Sequence, residues 1–263
     1  MTLLRKPLKI AAFLVLVITF LPVLFLVDLF IFKKRTKLYL FSRISSFYLR
    51  VALAVLGVRV RVKNASRLKD RKKNYFIISN HLSYIDIFAI YSVSPSLFVA
   101  NSELEESFLL GSIVRYSGGV FVERRSRAKL LTDITNITNI LNMGINVVIF
   151  PEGTTSNGER VMPFKTSFLG AAAETGADVL PICIRYREIN GRSVDKENGH
   201  LVYFYENITF FEHFFRLLNL RSITVELREL EVIESRSGVT RKELTEQAFS
   251  RISDAYNEKC EDG

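Results

Sequence analysis

The feature that most constrains this chain is an apolar run near its N-terminus. Ile10 to Phe32 is 23 residues long and is interrupted only by Thr19, Pro22 and Asp28. About 20 apolar residues are enough for a helix to cross a hydrocarbon core. A segment of this kind must be inserted in lipid, covered by protein or removed. Removal as a signal peptide is disfavoured, because no small-x-small site follows and the run ends in Phe32-Lys33-Lys34-Arg35. Pro22 and Asp28 leave both a spanning and a re-entrant path open.

Charge points the same way. The 263 residues carry a formal net charge of +9. Residues 1–63 hold twelve Lys and Arg against one acid, Asp28, a local +11, while the remaining 200 residues hold 24 basic and 26 acidic, or −2. Basic clusters bracketing an apolar run fit an anionic membrane surface. A nucleic-acid binder would spread its basic residues over a folded polar face, so no nucleic-acid partner is expected. The cluster Lys33, Lys34, Arg35 and Lys37 is larger than Arg5, Lys6 and Lys9, and it continues into Arg43 and Arg50. By the positive-inside rule it places the rest of the chain on the cytoplasmic face.

Lys37 to Leu56 reads as a second helix. Ser42, Arg43, Ser46 and Arg50 form one narrow polar stripe and apolar residues fill the rest. That pattern suits the bilayer interface, with an ordinary core-packing helix as the competing reading. Gly57 can end this helix. It marks the expected boundary between a membrane-anchoring pair, residues 1–57, and a second domain, residues 58–263.

From Val58 the rhythm changes to short apolar strands separated by helical stretches. The strands are expected at Val58–Lys63, Tyr75–Ile78, Leu97–Ala100, Val120–Glu123, Val147–Phe150, Val179–Ile184, His200–Tyr205 and Ile223–Glu231. Val58–Lys63 alternates apolar and basic residues, as an edge strand would. Helices are expected at Ile85–Tyr91, Glu103–Tyr116, Ala128–Met143, Ser167–Thr175, Phe211–Leu218 and Arg241–Lys259, the last opened by Thr240 and Glu243 as a capping box. This alternation predicts an α/β fold: a mixed, largely parallel sheet flanked by helices, preceded by the membrane and interfacial helices. With 48% hydrophobic residues the chain is not disordered, and its two cysteines, Cys183 and Cys260, exclude a disulfide framework.

Ligands of α/β sheets collect at the carboxyl ends of strands, and three unusual stretches sit there. In Ser79-Asn80-His81-Leu82-Ser83-Tyr84-Ile85-Asp86, His81 lies in a turn and Asp86 in the first turn of the following helix. A carboxylate on the imidazole Nδ1–H would leave Nε2 free to take a proton from a hydroxyl. The same spacing suits a histidine that caps the helix while Asp86 faces its dipole. In Gly118-Gly119-Val120-Phe121-Val122-Glu123-Arg124-Arg125, Arg124 can fork a phosphate, or the run is a glycine turn before a solvated basic cluster. Phe150-Pro151-Glu152-Gly153-Thr154-Thr155-Ser156-Asn157-Gly158 offers amides and hydroxyls to an anion, with Lys165 beyond it, or is a polar turn.

Taken together and in order, these stretches resemble the glycerolipid acyltransferases of the lysophosphatidic acid acyltransferase type. Asn80-His81 through Asp86 matches that family's His-x4-Asp motif, and Gly118 through Arg124 its Gly-x-x-Phe-x-x-Arg motif. Phe150-Pro151-Glu152-Gly153-Thr154 matches the third motif and Val179-Leu180-Pro181-Ile182 the fourth. The resemblance covers residues 75–185, and the N-terminal helices are also family-like. It implies His81 as general base and Asp86 as its orienting partner. Arg124, Glu152, Gly153 and Thr154 would shape the acceptor site with help from Lys165, and Pro181 would belong to a loop near the acyl donor. The implied reaction moves a fatty acyl group from acyl-CoA or acyl-carrier protein to the sn-2 hydroxyl of a lysophospholipid acceptor. Lysophosphatidic acid, giving phosphatidic acid, leads among acceptors, in the company of membrane lipids. A thioester is already activated, so no metal and no cofactor are expected. Thr155 departs from the Arg found there in many lysophosphatidic acid enzymes. It keeps a lysophosphodiester or a lyso-ornithine-type acceptor open. A non-catalytic lipid-binding protein is the rival from another class; the intact His81 and Asp86 argue against it. A metal-dependent hydrolase is a third, disfavoured because His200 and His213 lack ligand-like spacing.

Overall fold

The structure, a computed structural model, describes residues 5–70, 72–106, 108–122, 127–206, 208–235 and 239–258. Two N-terminal helices, α1 (Arg5–Phe30) and α2 (Lys34–Leu56), form a hairpin. The body follows as β1 (Val58–Lys63), β2 (Phe76–Ser79), α3 (Ile85–Val93), β3 (Ser96–Asn101), α4 (Phe108–Tyr116), β4 (Val120–Val122), α5 (Arg127–Asn142) and β5 (Asn146–Ile149). Then come α6 (Gly170–Thr175), β6 (Val179–Ile189), β7 (Arg192–Ser193), α7 (Phe210–Asn219), β8 (Ile223–Glu229) and α8 (Arg241–Asn257).

The eight-stranded sheet runs in the order β1-β8-β6-β2-β5-β3-β4, with β7 paired to β6. The segment from β6 through β4 is parallel throughout, as buried apolar runs joined by helical crossovers require. The antiparallel β6–β8 pair makes the sheet mixed, and β1 lies at the edge beside β8. Side chains of the central strands divide by the period of two. Phe76 and Ile78 enter the core under α5, α6 and α8, while Ile77 enters the opposite core with Ile182, Ile184, Val225 and Leu227. Helix α8 opens with the capping box at Thr240 and Glu243.

The N-terminal pair is joined to this body. Both α1 and α2 are long and apolar enough to cross a membrane, and α1 is the less buried of the two. Helix α2 packs on α3 and gives Leu53 and Leu56 to the sheet core. Its polar stripe is divided, with Arg50 exposed and Arg43 partly so. Ser42 and Ser46 are buried, because a serine hydroxyl can bond within its own helix, as Ser42 Oγ does to the Tyr39 carbonyl. Helix α1 lies along α2 and touches α4 and α7. Its first basic residues act on the body: Lys9 Nζ donates to the carbonyls of Leu56 and Leu220 at 2.9 and 2.8 Å, and Arg5 donates to that of Arg221. These cations cap the ends of α2 and α7.

The strand expected at His200–Tyr205 is absent. Gly199–Leu201 is a 3-10 turn and the chain beyond it is irregular. The alternation of Leu201, Tyr203 and Tyr205 imitates a strand, but the Phe204 amide donates to the Leu82 carbonyl instead of to a ladder. The helix expected at Glu103–Tyr116 divides into a 3-10 turn over Ser102–Glu106 and α4. That expected at Ser167–Thr175 likewise begins as a 3-10 turn over Thr166–Leu169.

Candidate active site

Strand order brings the motifs together. Ile78 of β2 pairs with Ile149 of β5 on one side and Pro181 of β6 on the other. All three strands are parallel, so their carboxyl ends emerge side by side, and the segments leaving β2 and β5 meet. Asn80 fastens the third member: its Nδ2 donates to the Ile184 carbonyl at 3.0 Å and its Oδ1 accepts from the Ile184 amide at 2.8 Å.

His81 follows, held on every side. Its amide donates to Glu152 Oε1 at 3.0 Å and its carbonyl accepts from the Ser156 amide at 3.0 Å. Its ring stacks on Phe150, with centroids 3.9 Å apart and planes inclined by 15°. His81 Nδ1 lies 2.9 Å from Asp86 Oδ2, and the imidazole side chain is 15% exposed, whereas the Asp86 side chain is fully buried. Asp86 Oδ2 also accepts from the Leu82 and Ser83 amides at 2.6 and 2.8 Å. Its Oδ1 accepts from the Tyr186 hydroxyl at 2.8 Å. A carboxylate with this many donors is fixed in place. With Nδ1–H donating to it, the His81 Nε2 carries the free lone pair.

Glu152 is buried beside the dyad, and its Oε2 has no hydrogen-bond partner among the described residues. Burial pushes its carboxyl up to about 8; the Asp86 charge adds to this, while the His81 and Met162 amides work against it. The reversal after Phe150 depends on Gly153, whose φ is 78° and whose amide donates to the Phe150 carbonyl at 3.1 Å. Thr154 is exposed, and Thr155 lines a cleft of about 320 Å³ with Asn157, Glu159, Arg160 and Glu206. Tyr205 and Glu206 are shared with a neighbouring cleft of about 290 Å³ bordered by His200, Tyr203 and Arg216.

The structure thus brings together His81, Asp86, Glu152 and Gly153. Lys165 is exposed, and its amide donates to the Pro151 carbonyl at 2.9 Å, so its backbone belongs to the same loop system. Arg124 lies outside the described residues. Pro181 corrects an expectation: it is buried within β6 and is not in a loop. A proline is tolerated there because the ladder to the outgoing chain is interrupted between Glu229 and the Val179–Ile233 bridge; only the Leu230 amide reaches the Pro181 carbonyl.

Tyr186 escaped the sequence reading. It continues the Ile182, Ile184 face of β6, and a buried tyrosine hydroxyl needs a partner, which is the available signal. Tyr203 stands edge-on to Tyr186 with centroids 5.6 Å apart and also closes on Gly158, where a Cβ would come within 2.6 Å of its ring.

Known proteins resemble this chain over most of its length. The model of the Acyltransferase family matches residues 59–185. The lyso-ornithine lipid O-acyltransferase of Rhizobium meliloti (strain 1021) is 32% identical over 210 residues, which are 77% of this chain and 71% of that protein. The 1-acyl-sn-glycerol-3-phosphate acyltransferase of Neisseria gonorrhoeae is 27% identical over 76% of each chain. The crystal structure of the 1-acyl-sn-glycerophosphate (LPA) acyltransferase from Thermotoga maritima superposes with a TM-score of 0.70 at 21% identity, covering 97% of this chain and 94% of that one. At that identity the superposition speaks for the fold alone.

Proposed function

The chain belongs to the acyltransferase family, and on that premise we propose that it acylates the free hydroxyl of a lyso-ornithine-type lipid at a membrane surface. The observation that carries acyl transfer is the 2.9 Å contact between His81 Nδ1 and Asp86 Oδ2. His81 Nε2 takes the hydroxyl proton as the acceptor oxygen attacks the thioester carbonyl of acyl-CoA or acyl-carrier protein. The C–O bond forms, the C–S bond breaks, and the proton held by His81 goes to the leaving thiolate. Asp86 fixes the tautomer and stabilises the imidazolium.

Three observations favour the acceptor. The cleft lined by Ser156, whose amide bonds the His81 carbonyl, presents Glu159 and Glu206 together with Arg160, a set that suits a head group carrying both an amine and a carboxylate. Thr155 stands where a phosphate fork would be expected. Relatives named lyso-ornithine lipid O-acyltransferases reach 32% and 31% identity. The second reading is lysophosphatidic acid as acceptor, giving phosphatidic acid. The full set of four motifs, the exposed Lys165 and the 27% identical Neisseria relatives support it. In either case Glu152 and Gly153 shape the acceptor side, and the α1–α2 pair holds the enzyme in the plane of the bilayer. The cluster at Lys33–Lys37 sets that surface as the cytoplasmic one.

The test is a panel of acceptors with one acyl-CoA and the full-length chain in mixed micelles: lyso-ornithine lipid, 1-acyl-glycerol-3-phosphate and a lysophosphodiester. The expected result is the highest kcat/KM for lyso-ornithine lipid and no transfer by His81→Ala. Faster phosphatidic acid formation would replace the acceptor and leave the reaction standing. Full activity of His81→Ala would remove the dyad from the chemistry.

A further inference from the structure

Helix α7 has two faces with different business. Thr209 caps it by accepting from the Glu212 amide. On the inner face, His213, Leu217 and Leu218 are buried, and Phe210 packs on Tyr84 with centroids 5.0 Å apart. His213 Nδ1 lies 3.1 Å from the Tyr84 hydroxyl, so this face rests on the turn that follows His81. On the outer face, Phe211 and Phe215 are 62% and 45% exposed. They lie four residues apart and therefore point the same way. Two phenylalanine rings side by side on a helix surface are costly in water, and such patches mark binding surfaces.

The neighbouring surface identifies the occupant. Phe214 meets Phe13 of α1 at 4.7 Å between centroids, and Lys6 Nζ stands 5.7 Å from the Phe215 ring centre. Helix α1 itself exposes Leu8, Leu14, Val15 and Ile18 at 71%, 55%, 59% and 68%. The apolar edge of α7 therefore continues that of α1. Its rim is cationic: Arg5, Lys6 and Arg221 stand at the α7 C-terminal end, and the acid Glu212 is paired with Arg216 at 2.7 Å. Aromatic side chains over an apolar face with a basic rim are the make-up of an interfacial helix.

We propose that α7 is a lipid-contacting element of its own, with Phe211 and Phe215 entering the head-group and acyl boundary of an anionic bilayer alongside α1. This rests on the membrane reading of the α1–α2 pair. It gives the catalytic turn a support on the lipid surface, because the other face of the same helix holds Tyr84.

The chain contains no tryptophan, so single introduced tryptophans report depth directly. Full-length Phe211→Trp, Phe215→Trp, Phe30→Trp and Lys242→Trp are reconstituted with vesicles of phosphatidylcholine and phosphatidylglycerol, with and without brominated acyl chains. Phe30 is an exposed residue of α1, and Lys242 is an exposed residue of α8. The expected result is loss of emission from the position 211 and 215 variants comparable to that of Phe30→Trp, with none from Lys242→Trp. Loss confined to Phe30→Trp overturns the α7 proposal and leaves the membrane reading intact. No loss in any variant overturns both. Blue-shifted emission of Phe211→Trp that ignores brominated lipid and rises with protein concentration assigns the face to a second copy of the chain, which also overturns it. Either α7 variant suffices if the other fails to fold.

Discussion

The Tyr186 hydroxyl lies 2.8 Å from Oδ1 of Asp86, one hundred residues earlier in the chain. Asp86 therefore has one oxygen turned to His81 and the other to a buried phenol on the next strand. The phenol is an extreme case of a group kept neutral: burial first, and then the Asp86 charge, raises its pKa well above the ordinary range. It can only donate. Tyr186→Phe removes that donor while keeping the ring. A hydrogen bond to a charged group contributes roughly 1.5–3 kcal/mol, and about 1.4 kcal/mol is tenfold in rate. We expect kcat to fall about tenfold or more with the acceptor KM unchanged, measured by steady-state kinetics. An unchanged kcat would remove Tyr186 from the support of the dyad.

Asn80 is the joint between β2 and β6. Asn80→Ala leaves the Ile184 amide and carbonyl buried without partners, each costing about 1–3 kcal/mol. A lower Tm is expected, and loss of activity at temperatures where the variant is still folded. Thermal unfolding in detergent beside an activity assay checks both; a variant as stable as the parent would show that the tie is dispensable.

The pH dependence of stability carries the mark of Glu152. Its carboxyl titrates near 8 when folded and at an ordinary 4.5 otherwise, so the folded state binds the extra proton between these values. Its contribution to stability is fully present below about 4.5 and is lost as pH rises through about 8. Glu152→Gln is expected to flatten the fall of Tm across that interval and to be the more stable protein at pH 8. A parallel fall in both proteins would show that Glu152 is not the group responsible.

His213 has the opposite sign. Burial, aided by the Arg216 charge, lowers it from 6.5 to about 4. Around it stand Tyr84 on the turn that follows His81 and Arg216 on its own helix, with the backbone of Val202 and Tyr203. The unfolded chain binds the proton first, so its contribution to stability is present above about 6.5 and is lost as pH falls toward about 4. His213→Asn is expected to lose less stability between pH 6.5 and 4 than the parent. Equal losses of unfolding free energy in the two proteins between the two pH values, from denaturant titrations, would refute this.

The parts of the site that are local in sequence were legible. His81 and Asp86 are five residues apart, and the turn between them leaves little choice of geometry. The strands β2, β5 and β6 announce themselves as buried apolar runs, although their order in the sheet is seen only in the structure. What sequence hides is long-range. Nothing near residue 86 points to Tyr186, and nothing near His81 says that Phe150 will stack on it. Alternation misled at Tyr203 and Tyr205, because the Phe204 amide between them bonds to the Leu82 carbonyl. Serine misled in α2, where Ser42 and Ser46 turn inward to let helices approach. Arg124 lies outside the described residues.

The cap that Lys9 places on α2 and α7 also bears on how the protein can be handled. Trimming the first helix is the obvious way to make a soluble catalytic fragment. Here the trimmed fragment would lose the ammonium that bonds the Leu56 and Leu220 carbonyls at opposite sides of one junction, and Phe214 would lose its cover from Phe13. The apolar helix is thus a structural part of the enzyme besides its proposed hold on lipid, and a detergent or nanodisc preparation of the whole chain is the form in which its activity should be sought.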